Sequence, residues 1–123
     1  MTRTLPLAEP PARPRDAAAS ESLERHAALF HALSDPRRLR ILDLLRAGEA
    51  CVCDLQAALA CGQSLMSFHL KTLRDAGLIS SRREGRWAYY QLDRHSLEHV
   101  EQAVAAYRVP ATERKKLPVA CCA

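Results

Sequence analysis

The chain has 123 residues, enough for one domain plus tails, and no apolar run in it approaches the roughly 20 residues a membrane helix needs. Apolar residues make up 48% but aromatics only 5%, so the core is built from Leu, Ala, Val and Ile, and the net charge of +4 is compatible with a polyanionic partner. Five cysteines, an odd number, with no apolar signal stretch at the N-terminus, argue against a disulfide scaffold and place the expected compartment in a reducing cytoplasm.

Residues 1–20 hold four of the seven prolines (Pro6, Pro10, Pro11, Pro14) and read as a disordered N-terminal arm. Leu23, Ala27 and Phe30, spaced i, i+4, i+7, then give a first helix one apolar stripe. Asp35-Pro36 restarts the chain as an N-cap followed by a first helical proline. Ile41, Leu42, Leu44 and Leu45 supply the apolar face of a second helix that ends at Gly48. A short third helix is predicted from Cys51 to Ala60, with Val52, Leu55 and Leu59 inward and Cys61-Gly62 making the next turn. Cys61 reads as a small core hydrophobe.

The fourth helix is predicted over 63–76, with Met66, Leu70 and Leu73 inward and Gly77 as a left-handed stop. At about 100° per residue, Gln63, Ser64, Ser67, Lys71 and Arg74 fall within one arc of roughly 100° beside that stripe. Small hydrogen-bonding residues followed by cations suit a DNA major groove, which admits a helix and offers donors and acceptors along its base edges. His69 is added as a phosphate contact. Leu65 and Phe68 are expected to pack against neighbouring elements, the alternative being a thymine methyl.

After Gly77 the pattern turns extended. Residues 78–83 and 87–92 flank Glu84-Gly85-Arg86 as a β-hairpin whose tip carries Arg82, Arg83 and Arg86. Asp93 caps a fifth helix through Tyr107, with Leu97, Val100, Val104 and Tyr107 on a face that needs a cover, so a dimer is expected. Residues 109–123 form a flexible tail ending in Cys121-Cys122-Ala123. The unit over 21–108 is therefore mainly α with a small β-hairpin, in the order α-α-α-α-β-β-α. That is a winged helix-turn-helix in which the fourth helix reads a groove and the hairpin grips the flanking backbone.

Three blocks carry a family likeness. Ala32-Leu33-Ser34-Asp35-Pro36-Arg37-Arg38-Leu39-Arg40-Ile41-Leu42, Ser67-Phe68-His69-Leu70-Lys71-Thr72-Leu73-Arg74-Asp75-Ala76-Gly77-Leu78-Ile79 and Glu84-Gly85-Arg86-Trp87-Ala88-Tyr89-Tyr90-Gln91-Leu92 resemble, in order and spacing, the ArsR/SmtB family of bacterial metal-responsive repressors. The resemblance covers about residues 21–107. It implies a homodimer held by the first and last helices, double-stranded operator DNA as partner, no membrane and no catalytic activity, with the operator released when metal binds.

Glu49-Ala50-Cys51-Val52-Cys53-Asp54-Leu55 resembles the metal box of the family's arsenic, antimony and cadmium/lead branch. Thiolates are the ligands that soft ions select, and As(III) takes three sulfurs in a pyramid. Cys51 and Cys53, read at a helix N-terminus, are expected to have lowered pKa values. Residues i and i+2 on a regular helix point about 200° apart, so both could hold one ion only by opening the first helical turn. Some relatives place a third cysteine where this chain has Gln56, and the N-terminal arm has none. The third sulfur is therefore assigned to Cys121 or Cys122, with As(III) or Sb(III) as inducer. Asp93-Arg94-His95 resembles the start of a zinc-type site, but Ala106 and Val109 stand where its further ligands belong.

Other functions fit part of the pattern. A thiol redox switch on the same DNA-binding fold keeps the cysteines but not the metalloid. A metal-blind regulator would carry them as passengers. A thiol oxidoreductase or arsenate reductase lacks its phosphate-cradling loop and its Cys-x-x-Cys turn.

Overall fold

The computed structural model describes residues 14–113 and 115–116. The first helix, α1 (Pro14–Ala32), starts inside the stretch expected to be a disordered arm. Pro14 is suited to a first helical position, and Arg15-Asp16-Ala17-Ala18-Ala19 are residues a helix tolerates or favours, so local propensity carries the helix back past the expected boundary at 21. The chain breaks at Ser34. Asp35 then caps α2 (Pro36–Leu45), its carboxylate accepting from the backbone N–H groups of Arg37 at 2.8 Å and Arg38 at 3.3 Å.

A two-residue strand, β1 (Ala50–Cys51), precedes α3 (Val52–Leu59) and was not foreseen. The turn into α4 (Gln63–Asp75) is made by Ala60 in the left-handed region (φ 49°), one residue earlier than expected. Gly77 (φ 79°) stops α4, and its missing side chain is required, because a Cβ there would lie 2.9 Å from Ser96 Oγ. The hairpin β2 (Ile79–Glu84) and β3 (Trp87–Leu92) turns at Gly85, and Asp93 caps α5 (Arg94–Ala105). A single 3-10 turn, Ala111–Glu113, follows within the stretch expected as a flexible tail.

The sheet is antiparallel in the order β1-β3-β2. Cys51 stands opposite Tyr89, and Tyr89 stands opposite Arg82, so the first cysteine lies in a row that crosses the hairpin. Ile41, Leu55, Met66, Leu73 and Leu78 are fully buried where α2, α3, α4 and β2 meet. Cys61 is partly buried against this core, as its expected role requires. The stripe expected for α1 is not the one this chain buries: Leu29 and Ala32 go inward, while Leu23 stays 59% exposed. Among the described residues no helix is long and apolar enough to cross a membrane.

Candidate nucleic-acid interface and thiol site

Helix α4 has two chemically distinct sides. Met66, Leu70 and Leu73 lock it to the core. Gln63, Ser64, Ser67, Lys71 and Arg74 are exposed, and their side chains make no ion pair or hydrogen bond among the described residues. The helix thus presents unpaired donors, acceptors and cations outward, the condition for reading a groove.

His69 does not belong to that set. It is buried, and its Nδ1 lies 3.1 Å from an Arg38 guanidinium nitrogen. Since arginine only donates, Nδ1 accepts, which leaves Nε2 to carry the proton of a neutral ring. Nε2 is buried without a partner. Burial pushes the His69 pKa down; the attraction of Asp35 opposes this, and the charges of Arg38 and Arg37 add to it. A phosphate contact is ruled out for His69 by its direction into the core: at about 240° from Gln63 it falls beside Met66 and Leu73.

Arg38 is the functional residue the sequence reading overlooked. It is 5% exposed, donates through Nε to Ala32 O at 2.8 Å, and donates to His31 O at 3.2 Å. One guanidinium thereby closes the end of α1 and fixes α4 through His69. A signal was present, because Arg38 shares a stripe with Ile41 and Leu45 at i, i+3, i+7.

Arg83 and Arg86 extend from the hairpin, exposed and unpaired among the described residues. Arg82 differs. It grips the Glu49 carboxylate with two bonds, 2.6 and 2.8 Å, donates to Glu84 at 2.9 Å, and sits 4.8 Å from the Tyr89 ring centre. The Glu49 bond, and then that to Glu84, push the Arg82 pKa up. Hydrogen bonding from Arg82 holds the Glu49 carboxyl below its usual range. Its charge is already compensated, so Arg82 ties the hairpin to β1 rather than standing ready for phosphate.

The two cysteines are not both helical, because Cys51 lies outside the helix. It is the extended N-cap of α3 (φ −82°, ψ 161°), with its Sγ accepting from Asp54 N–H at 3.4 Å. Cys53 is in the first turn and exposed. The expected lowering of the Cys53 pKa is reversed: the hydrogen bond to Cys51, then burial, push it up.

This pair supplies two soft donors at an accessible place, which fits a thiophilic ion in ligand type. Among the described residues no group of three or more His, Cys, Asp or Glu is placed to hold a metal ion. Cys121 and Cys122, the expected source of a third sulfur, lie outside the described residues.

Helices α1 and α5 pack together and leave a cleft of about 560 Å³ lined by residues that include His26, Leu29, His99 and Ala103. Val104 and Tyr107 remain 49% and 69% exposed beside it.

Comparison with known proteins agrees with this geometry. Residues 35–81 match the pattern of the bacterial regulatory protein, arsR family. The arsenical resistance operon repressor of Bacillus subtilis is 43% identical over 79 residues, spanning 63% of this chain and 75% of that protein. The crystal structure of an ArsR family transcriptional regulator is similar with a TM-score of 0.68 and 26% identity, covering 75% of this chain and 95% of the other. A homodimeric winged helix-turn-helix DNA-binding domain from Mycobacterium bovis, solved by NMR, gives a TM-score of 0.60 at 29% identity, over 88% of this chain and 100% of that one.

Proposed function

The chain belongs to the arsR family of bacterial regulatory proteins, and from that premise we propose that it is a cytoplasmic repressor that binds operator DNA as a homodimer and releases it when cysteine thiolates bind As(III) or Sb(III). The observation that carries the inducer half of this reading is the position of Cys51. It is at once the cap of α3, which packs on the reading helix, and a strand residue paired with Tyr89 of the hairpin. Any shift of its sulfur reaches both DNA-facing elements. The differential contact needed for an allosteric effect therefore has a physical route.

Cys51 and Cys53 would hold two bonds of the metalloid, and Cys121 or Cys122 the third. The metalloid's own contribution is its affinity for sulfur in a three-coordinate pyramid. The DNA half rests on Gln63, Ser64, Ser67, Lys71 and Arg74 in the major groove, with Arg83 and Arg86 on flanking phosphates. Dimerisation through α1 and α5 covers Leu23, Val104 and Tyr107, and the homodimeric relative supports it.

The test is an operator gel shift titrated with arsenite, cadmium and zinc, for the wild type and for each Cys→Ser variant. Arsenite should release the wild type and fail with Cys51→Ser and Cys53→Ser. Release unchanged in both variants overturns the site. The placing of the two thiols two residues apart at the start of α3 favours a second reading, a thiol switch in which peroxide oxidises the pair to a disulfide and is itself reduced to water. Release by peroxide, reversed by dithiothreitol and indifferent to arsenite, would select it.

A further inference from the structure

Phe68 is the more exposed of two apolar residues, with Leu65, on the outer surface of α4, which elsewhere is polar. The residue is 57% exposed, against the expectation that it packs on neighbouring elements, and among the described residues its one ring-to-ring contact is edge-on to His69, with centroids 5.5 Å apart. His69 is itself held by Arg38, so the ring leans on a fixed base. At about 100° per residue, Phe68 lies about 40° from Ser64 and about 60° from Lys71 around the helix. These three, at i, i+4, i+7, and Asp75 a turn further on, form the ridge furthest from Met66, Leu70 and Leu73.

An exposed phenyl ring on a helix is a cost in water unless something covers it. The helix neighbours of this ring at three and four residues are the hydroxyls of Ser64 and Thr72, the unpaired Lys71 and the partly exposed Leu65, a mostly polar setting that suits the edge of a duplex better than an apolar protein surface. Of the groups exposed in a major groove, the one apolar feature is the 5-methyl of thymine. We infer that Phe68 is a specificity-determining residue that covers a thymine methyl in each operator half-site. This rests on the reading above that α4 occupies the major groove.

The contact can be isolated by one methyl group. Duplexes are enriched from a random pool by the full chain, and the tightest is remade with each thymine replaced singly by deoxyuridine. At one thymine per half-site, loss of the methyl should weaken wild-type binding about fourfold, the worth of one buried carbon. The same replacement should leave Phe68→Ala binding unchanged, because the partner is already gone. Phe68→Leu should retain part of the methyl dependence, and Leu65→Ala, exposed further round the helix, all of it. Wild-type binding insensitive to every methyl, or losses from Phe68→Ala and deoxyuridine that simply multiply, would overturn the contact while leaving the DNA-binding reading intact. Failure to enrich any duplex would overturn that reading and the contact together.

Discussion

The outer face of α4 and the β1–α3 junction are both assigned to function, yet they are built in opposite ways. On α4, Gln63, Ser64, Ser67, Lys71 and Arg74 are unpaired among the described residues. At the junction the linking polar groups are already engaged: Glu49 with Arg82, and Cys51 with Asp54 N–H. A surface that awaits a large polyanion keeps its donors free, since pairing them internally would have to be undone on binding. A surface that senses and transmits needs the reverse, because a displacement travels only through groups already in contact. The hairpin shows both, with Arg82 in the linkage and Arg83 and Arg86 exposed and unpaired among the described residues.

The comparison can be broken most severely at the pivot that carries α4. Arg38→Ala strips donors from His31 O, Ala32 O and His69 Nδ1 at once. It should cost about 3 kcal/mol of stability, read as a lower urea midpoint with unchanged slope. A loss below about 0.5 kcal/mol would mean that water replaces all three bonds and that α4 is fixed by apolar packing alone.

A smaller effect separates the two kinds of arginine. The slope of log affinity against log salt should fall by about 0.9 for Arg83→Ala or Arg86→Ala, one released counterion each. Arg82→Ala should change the slope less, because Glu49 and Glu84 already neutralise that charge. Equal slopes for all three would dissolve the distinction between linkage and contact.

The thiol pair gives a third comparison. With its pKa raised, Cys53 is less ionised at neutral pH than a free thiol, so its alkylation rate should climb at higher pH than for free cysteine. Cys51→Ala removes the main cause and should move that profile to lower pH. A profile that stays put would show that burial, not the neighbouring sulfur, holds the proton.

The smallest effect concerns His69. Burial lowers its pKa in the folded chain, so the native state takes up fewer protons than the unfolded one, and stability rises with pH through this group. That contribution is complete above the ordinary imidazole value of 6.5 and is lost as pH falls from there toward the lowered native value. The difference in urea midpoint between pH 7.5 and 5.5 should be smaller in His69→Gln than in the wild type. An identical difference would assign it to other groups.

Much of this protein was fixed by local chemistry that a sequence displays. Asp35-Pro36, Gly77, Gly85 and Asp93 mark boundaries because their own backbones or side chains satisfy them, and the i, i+4, i+7 repeat of Met66, Leu70 and Leu73 orients α4 without reference to anything distant. From that orientation followed the exposed polar arc, and the three signature blocks named the family that the relatives share. What the sequence left open required partners far along the chain. Cys51 left the helix because it pairs with Tyr89, 38 residues on (89 − 51). Arg82 is engaged internally because Glu49 reaches it, and His69 because Arg38 claims one of its nitrogens. Periodicity reports which way a side chain points, but only the packed fold decides what it meets there, and at each of these positions that meeting determined the residue's role.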